Sequence, residues 1–175
     1  WWPSMYKDVL HFVSTCETCQ VYSNIRHRDE LKPTYPLTIH FKWMVDLVSM
    51  PMGVGQMKYL ALAREDLTNQ VEGRALTNKT TSAVCKFLLE DVVCRYGCVG
   101  KIVADRGELD AHEATELFER LGVKLSLTTA YNPEANGKIE RGHGPIVKAI
   151  VRACNGRVGN WPRLLPYALW ADRTT

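Results

Sequence analysis

The sequence predicts a mixed α/β domain, a five-stranded sheet flanked by helices, preceded by a small helical segment that ends on a cysteine pair. Two observations carry this. Runs of period-two and helical-period apolar residues alternate in the order strand, strand, strand, helix, strand, helix, strand, helix, helix. Ahead of them, Cys16-Glu-Thr-Cys19 closes a helix-like stretch, and a polar segment broken by Pro33 and Pro36 follows.

Residues 1–20 carry apolar positions at helical spacing (Val9, Leu10, Val13), and residues 21–36 read as a linker. From Ile39 through Ser49, Phe41, Trp43 and Val45 alternate with His40, Lys42 and Met44, which predicts a strand with Asp46 inside it. Met57–Ala63 and Gln70–Leu76 are two further strands, joined by the turn Arg64-Glu65-Asp66. Thr80 to Tyr96 has the length and period of a helix, closed by Gly97. Lys101 to Ala104 is a short apolar strand running into Asp105-Arg106-Gly107. Asp110 and Glu113 form a capping box for a helix with Ala114, Leu117, Phe118 and Leu121 on one face, stopped by Gly122. Val123 to Leu127 is the fifth strand, and Tyr131-Asn132-Pro133 a turn. From Ala135 the pattern is helical until Gly142-His143-Gly144-Pro145, which is expected to interrupt or kink it. Asn160 as N-cap and Pro162 in the first turn start a last helix, whose stripe of Trp161, Leu164, Leu165, Ala168 and Leu169 suits a core or a dimer contact.

Bulk properties narrow the function classes. A chain of 175 residues holds one medium domain and a smaller appendage, and its opening Trp1-Trp2-Pro3 reads as the start of a fragment. No stretch approaches the roughly 20 apolar residues of a membrane-spanning helix, and no signal peptide opens the chain, so no membrane partner is expected. Six cysteines are too sparse for a disulfide scaffold, which points to a reducing, intracellular setting, nuclear or cytoplasmic. Net charge is only +3, yet seven basic residues against two acidic ones lie between Gly137 and Thr175. That imbalance fits either a phosphate-contacting surface or a solvated basic face.

Three carboxylates stand out. Asp46 sits in a strand between Val45 and Leu47 with no cation of its own strand beside it, and a buried charge needs a partner or a metal. A strand-end aspartate facing water is the plain alternative. Asp105 could be ordinary turn chemistry and Glu140 an ordinary helical glutamate. The three form a site only if the fold brings them together.

The segments Trp43-Met-Val-Asp46, Ile102-Val-Ala-Asp105-Arg-Gly107 and Tyr131-Asn-Pro-Glu-Ala-Asn-Gly-Lys-Ile-Glu140-Arg141 closely resemble the catalytic core of integrases of retroviruses and gypsy-type LTR retrotransposons. Trp1 through Val9 and Phe12 through Gln20 resemble the second half of the integrase zinc-binding domain, and Asn160 through Trp170 the helix after the core. The resemblance implies an RNase H-like core at 37–175, a linker at 21–36 and the end of a zinc-binding domain at 1–20. It implies a catalytic, metal-binding triad of Asp46, Asp105 and Glu140 for Mg²⁺ or Mn²⁺, ions that suit hard oxygen donors. It further implies processing of DNA 3′ ends, their joining to target DNA, a homo-oligomeric assembly, and DNA contacts from Tyr131, Asn136, Lys138, Arg141 and Lys148. At about 100° per residue, Lys138, Arg141, Lys148 and Arg152 share one helical stripe and Ile139, Ile146 and Ile150 another.

The chain departs from the family in one loop. Between Asp105 and Glu140 stand 34 residues, one fewer than usual, and Glu108-Leu109-Asp110 follows Asp105-Arg-Gly. The missing residue belongs in that loop, and Asp110 reads as a helix cap rather than a ligand. Cys16 and Cys19 have the spacing of half a tetrahedral zinc site, whose two histidines lie upstream of Trp1 in the family. A redox pair and two small buried thiols are the other readings. His40, His112 and His143 carry no motif and read as structural or exposed. Rival functions are a domesticated or decayed copy that binds nucleic acid without catalysis, and a cut-and-paste transposase.

Overall fold

A computed structural model describes residues 1–18, 38–97, 99–109, 112–128 and 133–175, with the side chains of 106, 108, 128 and 133–142 outside the description. The backbone divides into two compact units, Trp1–Tyr35 and Pro36–Thr175. In the first, helix α1 spans Met5–Thr15. Asp8 in its first turn accepts hydrogen bonds from Trp2 Nε1 (2.7 Å) and Ser4 Oγ (2.8 Å), and these donors hold its carboxyl below the usual range. The helix ends at Cys16, which is half-buried in extended conformation. Cys19 and the whole of the expected linker lie outside the described residues.

The second unit is built on a five-stranded sheet: β1 (Lys42–Ser49), β2 (Tyr59–Glu65), β3 (Val71–Leu76), β4 (Lys101–Asp105) and β5 (Lys124–Thr128). Its order is β3-β2-β1-β4-β5, with β1, β2 and β3 antiparallel and β4 and β5 parallel to β1. The change of sense at β1/β4 follows from the connections. Tight turns join the first three strands, whereas a helical crossover carries the chain from β3 to β4. Strand β2 runs through Glu65, so the turn expected from Arg64 begins two residues later, at Asp66. Glu65 is fully buried and accepts the backbone N–H groups of Leu67 and Thr68, which fixes that turn.

Strand alternation sorts the sheet into two faces. Trp43, Val45, Ala61, Ala63, Ile102 and Ala104 pack against Val84, Phe87, Leu88 and Phe118 on one side. Leu60, Leu62 and Val71 pack against Ile146, Ile150, Trp161, Leu165 and Leu169 on the other, the face that Met44 and Val103 also share by alternation. The first face is covered by α2 (Thr81–Phe87), which continues through a π-helical stretch (Leu88–Val93) and a last turn (Cys94–Tyr96). Thr80 Oγ1 caps its start by accepting from Ala83 N–H, and Gly97 ends it at φ 74°, a conformation without penalty only for glycine. The expected helix over these residues is thus present but not regular. Its π-helical turns carry Glu90 and Asp91, which both bind Arg74 of β3. Burial and the nearby Glu113 push the Cys85 thiol in α2 up to about 11. A short helix α3 (Arg106–Leu109), which the pattern did not predict, follows β4, and α4 (His112–Arg120) follows it. The Asp110 cap lies outside the described residues.

Two long helices cover the second face. Helix α5 runs unbroken from Pro133 to Cys154, with Pro145 inside it. The interruption expected at Gly142–Pro145 is absent. A proline removes one backbone donor, and burial of Ile146, Ile150 and Cys154 against the sheet holds the helix through that point. Helix α6 (Trp161–Thr174) buries Trp161, Leu165, Ala168 and Leu169, so the predicted stripe is core. Asn160 is not an N-cap by its side chain: it ends a 3₁₀ turn with helical backbone. Trp161 Nε1 instead ties α6 to the β1–β2 loop by donating to Pro51 O at 2.7 Å. Gly53 in that loop has no room for a side chain, because a Cβ would lie 2.5 Å from Pro162 Cγ. Arg173 near the end of α6 donates to Val71 O and pairs with the buried Glu72 of β3 at 2.8 Å.

Candidate active site

Asp46 and Asp105 lie on the two strands that run parallel in the middle of the sheet, β1 and β4. Strand β1 pairs with β4 in the register Trp43↔Ile102 and Met44↔Val103. The pairing ends there; carried on for two more residues along both strands, the same register would set Asp46 level with Asp105, the last residue of β4. Alternation puts both on the face of Met44 and Val103, which is the face α5 covers. Such a position, at the carboxyl end of a parallel strand, is where open α/β sheets bind ligands.

Asp46 is a third exposed, and its Oδ1 accepts the backbone N–H of Leu47 at 2.8 Å. Its Oδ2 lies 2.5 Å from Nδ1 of His143, which is buried on α5. Of the two readings of His143, structural or exposed, its burial excludes the exposed one. The sequence did hold a signal for it. His143 follows Glu140 by three residues, the spacing that places two helical side chains on one face. Strand-local inspection of Asp46 missed it because the partner comes from another element. Asp105 is exposed at the strand end.

The backbone of Glu140 belongs to α5, one turn before His143, whose contact with Asp46 ties the helix to β1. The side chains of Glu140, Asn136, Lys138 and Arg141 lie outside the description, as does the whole of Tyr131. Among the described residues no three His, Cys, Asp or Glu side chains form a metal-binding group. Lys148 and Arg152 are exposed on α5, while Ile146 and Ile150 are buried, so the described part of the helix carries the two stripes read from its period.

His40 and His112 are not part of this arrangement. The ring of His40 stacks with Trp43 and lies against Tyr96 on the opposite face, and His112 is exposed at the start of α4. No described helix is long and apolar enough to cross a membrane.

A mixed five-stranded sheet in the order β3-β2-β1-β4-β5, with helices on both faces, is an RNase H-like fold. Solved structures share this fold. The catalytic core domain of BIV integrase superposes with a TM-score of 0.62 at 23% identity, covering 75% of this chain and 82% of that one. The HTLV-2 integrase catalytic core in complex with magnesium gives 0.63 at 16% identity, covering 78% of this chain and 87% of that one. A chain of the simian T-cell lymphotropic virus intasome, solved with the PP2A regulatory subunit B56 gamma, gives 0.75 at 17%, covering 94% of this chain and 59% of that one.

The resemblance to retroviral integrases holds across the chain. Residues 1–24 match the family described as the integrase zinc binding domain. The Gag-Pol polyprotein of avian reticuloendotheliosis virus is 31% identical over 134 residues, covering 76% of this chain and 12% of that protein. The Gag-Pol polyprotein of gibbon ape leukemia virus is 26% identical over 183 residues, covering 99% of this chain and 10% of that protein. This chain thus spans about a tenth of the polyproteins it matches.

Proposed function

We propose that the chain carries the catalytic core of a DNA integrase, a metal-dependent polynucleotidyl transferase that trims DNA 3′ ends and joins them to target DNA. The observation that carries this reading is the shared face of Asp46 and Asp105 at the β1/β4 junction, with the helix of Glu140 held against it by the His143 contact.

The donor set fits a hard divalent cation. Asp46, Asp105 and Glu140 offer oxygen ligands, and a few carboxylates suffice for an ion that keeps several of its waters. When bound, such cations supply the positive charge that activates an attacking oxygen and stabilises a leaving one. The rest of the work falls to the protein. The parallel strand pair fixes the two aspartates on rigid backbone, and Leu47 N–H holds one Asp46 oxygen so that the carboxylate keeps its orientation. Lys138 and Arg141 flank Glu140 in sequence and offset phosphate charge as DNA approaches; Tyr131, Asn136 and Lys148 extend that contact. No side-chain nucleophile is required, so water as attacking group gives cleavage and a DNA 3′-hydroxyl gives joining. Residues 1–20 end a zinc-binding domain in which Cys16 and Cys19 serve with two histidines from the preceding segment. The protein works on element ends and target DNA as a homo-oligomer.

The test is strand joining with Mg²⁺ on a short duplex. Asp46→Asn and Glu140→Gln each remove a charged ligand oxygen and should abolish joining and 3′ processing while thermal unfolding stays cooperative. A well-folded Asp46→Asn chain that joins DNA at the wild-type rate would refute the assignment and favour the rival in which the chain binds nucleic acid without catalysis.

A further inference from the structure

The starts of three neighbouring strands set three lysines in one row. Lys42 of β1 stands level with Lys101 of β4, and Lys101 with Lys124 of β5. Level residues of parallel strands point to one side, and alternation makes it the side of Met44 and Val103. The three backbone positions follow at about 4.8 Å, so the row spans roughly 10 Å. Among the described residues one acid pairs with it: Asp66, 3.1 Å from Lys42 Nζ. Lys101 sits between two like charges, and burial, then Lys42 and Lys124, hold its ammonium below the usual lysine range. Like charges set directly opposite one another weaken a sheet. Lysines that guard a sheet edge against wrong pairing would account for Lys124 on the outer strand β5, but β1 and β4 are interior strands.

We propose that Lys42, Lys101 and Lys124 form a second DNA contact, which grips the phosphate backbone of a duplex at the end of the sheet away from the carboxylates. Phosphates of one DNA strand advance about 3.4 Å of helix axis each, so a row of roughly 10 Å covers about three of them. A protein partner fits less well, because protein interfaces are depleted in lysine, whereas lysine serves phosphate as a point charge. Four residues separate Lys42 from Asp46 and Lys101 from Asp105, about 13 Å of strand. The row therefore does not touch a phosphate held at the carboxylates. It fixes the duplex further along and reads no sequence. This contact goes beyond the active-site reading, since it needs neither the carboxylates nor a bound metal.

Binding of a short fluorescent duplex to the full chain is followed by anisotropy in EDTA over a range of salt. Lys101→Gln with Lys124→Gln should flatten the slope of log affinity against log salt by roughly two units, alike for duplexes of unrelated sequence. Lys124→Gln alone, at an exposed position, should remove about one unit. The double variant should melt no lower than the wild type, because it relieves repulsion within the row, so the lost binding is not lost fold. Lys58→Gln with Lys86→Gln takes the same charge from exposed positions elsewhere and should leave the slope within about half a unit. An unchanged slope in the Lys101 and Lys124 variants, or an equal fall in the Lys58 and Lys86 control, overturns the proposal. So does a poly-glutamate chain that displaces DNA at equal charge concentration, which assigns the row to an acidic protein segment. A slope that survives the Lys101 and Lys124 changes but falls when Lys138 and Arg141 are replaced refutes the row and leaves the DNA contact on α5 standing.

Discussion

Replacing Ile150 by alanine tests how α5 is held, and through it how the active face is assembled. Ile150 is fully buried and packs with Leu60, Leu62 and Val71 of the sheet and with residues of α6. Removing its outer carbons deletes their transfer free energy and leaves a cavity between two rigid layers, which costs about 2–5 kcal/mol. Because both the sheet and α6 bound the gap and neither collapses easily, we expect about 3 kcal/mol, with Ile150→Val near 1 kcal/mol. Val151, the next residue on the same helix, is 54% exposed, and Val151→Ala should change stability by less than about 0.5 kcal/mol. For a chain of this size, about 3 kcal/mol corresponds to a fall in Tm of roughly 6–12 °C. Thermal and urea unfolding of the three variants measure the series, and hydrogen exchange along α5 reports whether the helix loosens first. Equal losses at positions 150 and 151 would refute the packing of α5 on this face.

Other outcomes follow from the same geometry. Changing Lys138 and Arg141 together to alanine should weaken DNA binding across sequences and flatten its salt dependence by roughly one to two units of slope; unchanged affinity and slope would assign the pair to a solvated helix face. A chain extended upstream of Trp1 should bind one zinc per molecule, lost in Cys16→Ser and released by acid as the ligands protonate; zinc content indifferent to Cys16→Ser removes the half-site. Cys85, buried and with its thiol pushed up to about 11, stays protonated across neutral and mildly alkaline pH, whereas Cys94 is exposed. Alkylation at pH 8 read by peptide mass should therefore label Cys94 at once and Cys85 only on unfolding; equal rates would contradict the packing of α2.

Much of this fold is legible because its elements are locally consistent. Alternation in Trp43–Ser49 and the apolar period around Phe118 reflect the two faces of a half-buried strand and the one stripe of a surface helix. Those signals depend only on neighbours a few residues away. The family motifs around Asp46, Asp105 and Glu140 were equally legible, since each is a short contiguous string. Where sequence reading failed, the deciding interaction came from elsewhere. Pro145 reads as a breaker, but burial of Ile146 and Ile150 on the sheet outweighs the lost backbone donor. Asn160 reads as a cap, but the 3₁₀ turn from Val158 and the bond from Trp161 to Pro51 start α6 instead.

The sequence by itself determined the strands and helices, the mixed α/β class and the identity of the three candidate carboxylates. Only the tertiary structure decided that β4 lies parallel beside β1, because sheet order is settled by long-range burial on both faces and not by any local pattern. That pairing puts the strands of Asp46 and Asp105 side by side. The tertiary structure alone also placed His143 against Asp46, a contact between distant elements set by the packing of α5 through its buried Ile146 and Ile150.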